Sequence, residues 1–588
     1  MRKSNYAIAM LLGWTLLSGC SALNNMVKLA DQQKLEATPN PLEVHADEVK
    51  FELSALLPAK MLPSKYFYTL NTFYKYGETD KNVGSIEFKA SDFPNSSTST
   101  SRLSKEFSFQ YDPAMNQGTL DIQGVASDAN GNSKPTQRIT VAPGLITTSK
   151  LVKDVYYSAY ADHGYNDKEE LVPTNVNFYF DQGSAVLKRS ETRSEKGKEF
   201  AAFIADKNVT RTVTITGTHS PEGTETINSN LSQNRAAAIE KYYRAQMAKY
   251  DYKDMADEIK FILKPVVEDW TGFKDALNAY DGVSASEKSD ILKIVNGAGT
   301  FEDKEKALQK LSSYKKIFKD IYPPLRAAKT EILTVKPKKT NAEISILAKQ
   351  ITEGTANADT LNSNELMFAG SLTPSLSEKE GIYKAATKKS GSWQAHNNLG
   401  AVYLEMARQG DMTANVQNAL TQFEIANKKN SNATVLGNMA VAYLMQGNND
   451  QAYTTIVEAM GKNPGNHKAG FSGVKGALEI KKAMYSDAVS SLTAAKESGS
   501  AQFDKGLALL LNKDYQNAIS AFGDAVEADS HAALSSYCSA IASARLRNDA
   551  DMITSLKKAV ELDPKLKEMA LADLEFKNYA GAVSTALQ

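Results

Sequence analysis

Six histidines and two cysteines are the side chains in this chain best suited to nucleophilic or metal chemistry, and their spacing supports neither. His45, His163, His219, His396, His467 and His531 are scattered over separate segments and turns. No HExxH, GxxxxGK[ST], GxSxG or paired-cysteine signature occurs; these patterns place zinc ligands on one helix face, cradle a phosphate or raise a nucleophile on a strained turn. The chain is therefore expected not to be an enzyme and to hold no metal or cofactor. Cys538 lies in a helical stretch rich in Ala, Ser and Tyr and reads as a buried small hydrophobe. Lys+Arg and Asp+Glu each number 68, and without a concentrated basic face a nucleic-acid partner is not expected.

Cys20 has a different setting. Arg2 and Lys3 precede an apolar stretch from Ala7 to Leu17, followed by Leu17-Ser18-Gly19-Cys20. This is the layout of a signal peptide over residues 1–19, too short to span roughly 30 Å of hydrocarbon as a mature helix. The tetrapeptide resembles the lipobox of bacterial lipoproteins, which implies that Cys20 becomes the acylated first residue of the mature chain. An ordinary secretory signal with a chance cysteine is the plainer alternative. Several acyl chains, at about 0.8 kcal/mol per buried methylene, make a durable anchor. With Cys20 acylated, no intrachain disulfide can form.

At 588 residues the chain is long enough for three or four domains. After a linker over 20–41, residues 42–150 carry the period-two alternation of half-buried strands, as in Phe107, Phe109 and Tyr111 or Leu120 and Ile122. Asn130-Gly131 separates two such runs and predicts a tight primed hairpin turn. The expected fold is a β-sandwich. Its aromatic cluster, Tyr66, Phe67, Tyr68, Phe73, Tyr74 and Tyr76, reads mainly as core, with a carbohydrate or protein contact as the alternative.

From Pro173 the order changes to strand, helix, strand, helix. The strand Val176–Asp181, the helix Glu191–Ala205, the β-branched strand Thr212–Thr216, the turn Gly217–Gly223 and the amphipathic helix Asn228–Ala248 follow in turn, with a further strand at Ile259–Leu263. The blocks "VNFYFDQGSAVL", "ITGTHSPEG" and "NSNLSQNRAAAI" resemble the OmpA-like peptidoglycan-binding domain in order and spacing. The domain is placed at 172–337, with a helical insertion at 266–326 and a last strand at Glu331–Val335. The insertion and the "SPEG" turn are similar to OmpA-like domains of the Bacteroidota.

The resemblance implies a ligand site. In the family an aspartate in the turn and an arginine at the start of the long helix grip the diaminopimelate of the wall peptide, because a zwitterion needs both charges and a guanidinium holds a carboxylate with two prongs. Arg235 matches the arginine. The aspartate position falls on Ser220, a departure that leaves Ser220 to hydrogen-bond an ammonium and Glu222 to supply the missing charge. Asn228, at the helix start, completes the set. The bland alternatives are an exposed Arg235 paired with a neighbouring acid, a well-formed turn at Ser220-Pro221-Glu222-Gly223, and a surface position for His219.

A second linker is expected over 338–360, and residues 361–588 then show helical periodicity with an internal repeat. Ala419/Phe423/Ala426, Ala452/Ile456/Ala459, Ala488/Leu492/Ala495, Ala518/Phe522/Ala525 and Met552/Leu556/Ala559 recur at intervals around the roughly 34 residues of tetratricopeptide repeats. Asn398-Leu399-Gly400 with Tyr403, and Asn438, Tyr443 and Gly447, fit the first helix of that repeat, and Pro464 and Pro564 fall at repeat ends. A degenerate leading repeat ends at Ala386, with Tyr383 as its large residue, and the longer interval to Ala426 implies an inserted loop near Gln409 to Ala414. Such helix pairs stack into a solenoid whose concave face takes peptides or helices.

The expected protein is multidomain α+β, with a β-sandwich, an OmpA-like α/β domain and an all-α repeat array. Ser21, Ala22 and Leu23 after the cysteine lack the Asp that would imply inner-membrane retention, and no acidic surface-export tract follows. The leading reading is a lipid-anchored outer-membrane scaffold facing the periplasm, bound to peptidoglycan and, through its repeats, to a protein partner. The alternative is an interaction subunit of a secretion or outer-membrane assembly machine, similar to those of type IX secretion, without wall binding.

Overall fold

The computed structural model describes residues 21–266, 270–528 and 531–588; the signal peptide and Cys20 lie outside the described residues. The chain divides into two units, Met1–Tyr165 with Asn341–Gln588, and Asn166–Thr340.

In the first unit, nine strands form two sheets: β1 (Lys34–Thr38), β2 (Leu42–His45), β3 (Glu48–Leu57), β4 (Tyr66–Tyr76), β5 (Thr79–Lys89), β6 (Ser101–Gln110), β7 (Thr119–Asp128), β8 (Ser133–Pro143) and β9 (Leu145–Ile146). One sheet has β3 between β6 and the pair β1 and β2, with β9 parallel to β2; the other has the antiparallel order β5-β4-β7-β8. Alternation does the sorting. Val49, Phe51, Leu53, Ala55 and Leu57 on β3 point inward and meet Tyr68, Leu70 and Tyr74 of β4 in one core. Tyr68 and Tyr74 are core residues as expected, and the Tyr74 hydroxyl donates to the Met115 carbonyl at 2.9 Å.

Two features of the sandwich differ from expectation. Residues 21–29 are helical and no linker, because Leu23, Met26 and Ala30 form a stripe at helical spacing that is buried in the sandwich core. β7 and β8 do form a hairpin, but in its turn only Gly131 takes positive φ, at 86°. The Asp128 carboxylate accepts the N–H groups of Asn130 and Asn132, so a side chain closes the turn in place of the primed geometry.

The linker expected over 338–360 is likewise a folded element. Helix Asn341–Thr352 buries Ile344, Ala348 and Ile351 against the repeats. Six helical pairs follow. The leading pair is Ser363–Leu372 with Leu376–Ser390, where the Tyr383 ring fills the space that a Cβ on Gly370 would need. Next come Trp393–Gln409 with Met412–Lys429, Ala433–Met445 with Asn449–Gly461, Lys468–Lys481 with Tyr485–Thr493, Gly499–Leu511 with Tyr515–Glu527, and Ala532–Arg545 with Asp549–Leu562. Three short helical segments close the array after Pro564. Every repeat triplet is buried except for Ala495, which is half-buried. Cys538 is fully buried. The longer first interval is not a loop. Only Gly410 and Asp411 separate the two helices, and the extra residues lengthen both of them, with Ala407 and Val416 continuing the buried stripe.

The sandwich docks on the solenoid through a charged cluster. Arg545 pairs with Glu43 of β2 at 2.9 Å and with Glu575 at 2.7 Å, and Thr148 donates to Glu575 at 2.6 Å. The Glu43 carboxylate can only accept, so His45 Nε2 carries the proton and donates to it at 3.1 Å; Nδ1 then accepts from the Tyr485 hydroxyl at 2.6 Å. The His45 hydrogen bond, followed by the Arg545 charge and against the cost of burial, holds the Glu43 carboxyl down from 4.5 to about 2. A depressed carboxylate stabilises the fold above its unfolded pKa and loses that contribution as pH falls through its folded value. The difference in urea midpoint between the natural chain and Glu43→Gln should therefore be full near neutral pH and close as pH falls from 4.5 towards about 2; a difference that ignores pH would refute this role.

The second unit is built on a sheet of order β10-β13-β11-β12, from β10 (Leu171–Tyr179), β11 (Thr210–Gly217), β12 (Lys260–Pro265) and β13 (Ala327–Val335). β11 and β12 are parallel, as a strand-helix-strand crossover requires, and the other pairings are antiparallel. Helices Glu195–Ala205 and Glu225–Lys249 cover the sheet with Phe200, Ile239 and Tyr243 against Phe178, Val213, Ile215 and Ile332. The insertion makes its own helical core from Trp270, Phe273, Leu277, Ile291, Phe301 and Tyr322. Two of its helices start at capping boxes, Ser284 with Glu287 and Thr300 with Asp303. Among the described residues no helix is long and apolar enough to cross a membrane.

Candidate functional site

The site in the second unit begins with a close backbone crossing. At the end of β11, a Cβ on Gly217 would lie 1.8 Å from the Ser232 carbonyl oxygen, so only glycine lets helix Glu225–Lys249 pass this near the sheet. Thr218 then fastens the turn: its hydroxyl donates to the Leu325 carbonyl at 2.6 Å and its amide to the Ala327 carbonyl at 2.8 Å. Gly223 turns with φ at 106°, and the Thr224 side chain caps the helix that carries Asn228 and Arg235. A cleft of about 250 Å³ results, lined by Gln182, Gly183, His219, Ser220, Glu222, Gly223, Ile227, Asn228, Leu231 and Arg235. All four residues expected to contact a ligand are brought together there.

Their partners differ from expectation. Arg235 is no exposed helix residue; it is 1% exposed and is the bulkiest of the fully buried side chains. Its guanidinium donates to three carbonyls, Thr218 at 2.8 Å, Ser184 at 3.0 Å and Asp181 at 3.2 Å. Burial, and then the nearby positive charge of Arg326, push its pKa down to about 10. Of five N–H donors these bonds use three, which leaves one on each terminal nitrogen outside them.

The expectation that Ser220 and Glu222 stand ready for an ammonium is corrected by Arg326, which sequence reasoning did not single out. Its Nε donates to Ser220 Oγ at 2.9 Å and to Glu222 Oε1 at 2.8 Å, and its second nitrogen pairs with Glu222 at 2.6 Å. The pair is largely buried, so leaving either charge alone would be costly. The only signal for it in the sequence was the basic residue directly before the last strand. His219, expected at the surface, is 1% exposed, with its ring edge-on to Phe301 of the insertion at 5.5 Å.

Arg235 and Glu222 are the charged side chains that line the cleft, and Arg326 sits against Glu222. Asn228 Nδ2, on a residue 2% exposed, has no hydrogen-bond partner among the described residues. Together with the spare N–H groups of Arg235, this donor set suits a carboxylate.

The OmpA family model matches residues 179–251, which run from the end of β10 through β11 and the long helix. No curated protein matches the chain. Among solved structures, MamA from residue 41 onward of Desulfovibrio magneticus RS-1 is 20% identical, with 28% of this chain and 96% of that one covered and a TM-score of 0.25. The C-terminal part of a TPR repeat-containing protein from Cytophaga hutchinsonii is 16% identical over 38% of this chain and 89% of its own, with a TM-score of 0.29. A tetratricopeptide repeat protein from Parabacteroides merdae is 16% identical over 42% and 97%, with a TM-score of 0.26. Residues 179–251 are thus an OmpA family domain, carried in a chain whose C-terminal helical pairs form a tetratricopeptide-like solenoid.

Proposed function

We propose that the chain is an outer-membrane lipoprotein, acylated at Cys20 and facing the periplasm, that acts as a binding scaffold and carries out no catalysis. The OmpA domain would hold peptidoglycan and the repeats a protein partner. The observation that supports the reading is the cleft of the OmpA domain, lined by Arg235 and by Asn228, whose buried Nδ2 has no hydrogen-bond partner among the described residues. Export followed by acylation is supported by the signal-like segment and the lipobox-like tetrapeptide before Cys20.

One observation favours a second reading, in which the domain is a protein contact within a secretion or assembly machine. Arg326 pairs with Glu222 Oε1 and with Ser220 Oγ, so in this turn Glu222 Oε2, buried and without a hydrogen-bond partner among the described residues, is what remains to meet the ammonium end of a wall peptide. The experiment is fractionation followed by sedimentation. Cys20→Ser should move the chain from membranes to the soluble periplasmic fraction, and that soluble chain should sediment with purified sacculi. Asn228→Asp, which places an anion where the cleft offers a donor, should reduce sedimentation by about tenfold, the worth of one charge-sensitive hydrogen bond. A soluble chain that ignores sacculi would discard wall binding and leave the second reading.

A further inference from the structure

The inner face of the solenoid, formed by the first helices of successive pairs, is already occupied by the chain itself. Residues 152–165, between the sandwich and the OmpA domain in sequence, run extended along it, outside any helix or strand. They traverse the repeats in reverse order. The Lys153 amide donates to Asp504 Oδ1 at 2.8 Å on helix Gly499–Leu511. Asp154 pairs with Lys481 at 2.5 Å, and the Tyr157 ring lies where a Cβ on Gly470 would be, with its hydroxyl 2.9 Å from His467 Nδ1. Tyr165 stacks on Phe368 of the leading pair at 4.7 Å.

At the centre the contacts are to backbone. Asn438 accepts from the Ala159 amide at 2.8 Å through Oδ1 and donates to the Ala159 carbonyl at 2.7 Å through Nδ2. Asn398 does the same for Ala161, at 2.7 and 3.1 Å, and Asn397 adds a bond to the Ala159 carbonyl at 3.0 Å. All three asparagines are at most 2% exposed. A carboxamide that matches both backbone polar groups of one residue reads main chain, and it tolerates only a small side chain where the segment presses on the helices; Ala159 and Ala161 are both buried. This is how a groove recognises an extended peptide, and none of the contacts requires the peptide to be covalently attached.

Resting on the reading of the repeats as a partner site, we propose that this groove binds an extended protein segment of alternating aromatic and small residues, and that residues 152–165 hold it closed until a partner segment displaces them. Tethering gives the strap an effective concentration of order millimolar, so a partner must bring more contacts than the strap offers or meet a chain whose strap has been drawn out.

The test uses full-length chain and a labelled synthetic peptide copying residues 151–165. A variant with 152–163 replaced by glycine and serine at equal length should bind the peptide at least about tenfold more tightly than the natural chain, and Asn398→Ala with Asn438→Ala in that variant should remove about tenfold or more of the affinity. Equal binding by the natural chain, or no binding by a strap-replaced chain of unchanged helix content, would overturn the proposal. Should that variant fail to fold, hydrogen exchange on the otherwise natural chain decides. Asn398→Ala with Asn438→Ala should speed exchange of the Ala159 and Ala161 amides by about tenfold or more while leaving the helix cores protected; unchanged exchange at those two amides would overturn it. The sedimentation experiment does not depend on the strap, so failure of one reading leaves the other standing.

Discussion

Arg235→Ala should destabilise the OmpA domain by about 3 to 5 kcal/mol, the range for breaking a buried charged hydrogen-bond group. The guanidinium ties its own helix to two pieces of chain that are distant in sequence: the loop after β10, through the Asp181 and Ser184 carbonyls, and the end of β11, through the Thr218 carbonyl. Truncation leaves all three carbonyls facing a void the size of an arginine side chain, in a place where water can satisfy few of them. Lysine should recover only part of the loss, because one ammonium on a flexible stem does not span three acceptors held in a plane. The measurement is the unfolding transition of the OmpA domain within the full chain, followed by exchange of the β11 amides. A loss below about 1 kcal/mol, the worth of one ordinary hydrogen bond, would show that the carbonyls are satisfied without the guanidinium. This structural load also makes Arg235→Ala a poor probe of wall binding, since lost sedimentation would follow from lost structure; Asn228, whose side-chain Nδ2 has no hydrogen-bond partner among the described residues, is the cleaner handle.

What could be read from the sequence followed from how local each signal was. The repeat triplets were legible because one helix face repeats the same small-large-small solution, and the OmpA blocks because strand, glycine turn and helix start lie within one continuous stretch. Ser220 and Glu222 were placed correctly in space but given the wrong partner, since Arg326 comes from the far side of a helical insertion and nothing in the turn itself announces it. Asn398 and Asn438 read as repeat-pattern residues; their role, and that of Asn397, appears only once Ala159 and Ala161, more than 230 positions away, are laid against them. Both expected linkers hid helices for one reason. Leu23, Met26 and Ala30, like Ile344, Ala348 and Ile351, are sparse apolar stripes within polar stretches, and composition averages them away.

Phe423→Ala should cost about 3 to 5 kcal/mol, the usual range for emptying a phenylalanine from a packed core, and its effect should travel along the groove. Phe423 is fully buried between Ala419 and Ala426 on helix Met412–Lys429, and its ring occupies the space beside Gly400 that a Cβ there would enter at 2.5 Å. Gly400 lies on the same helix as Asn397 and Asn398, so the ring sets the spacing of the helix that grips Ala159 and Ala161. In a solenoid each repeat leans only on its neighbours, and weakening one pair lowers the stability of that pair and of the interfaces on either side. Urea unfolding of the natural chain and the variant should therefore show the loss as a lower midpoint for the repeat array, and exchange at the Ala161 amide should accelerate while helix Asp549–Leu562, four pairs away, keeps its protection. Leu492→Ala, at the equivalent position opposite Gly476, is expected at the lower end of the range or below it, since the side chain removed is smaller and lies far from the paired asparagines. A Phe423→Ala chain that lost stability yet kept the Ala161 amide fully protected would separate the packing of that repeat from its hold on the strap.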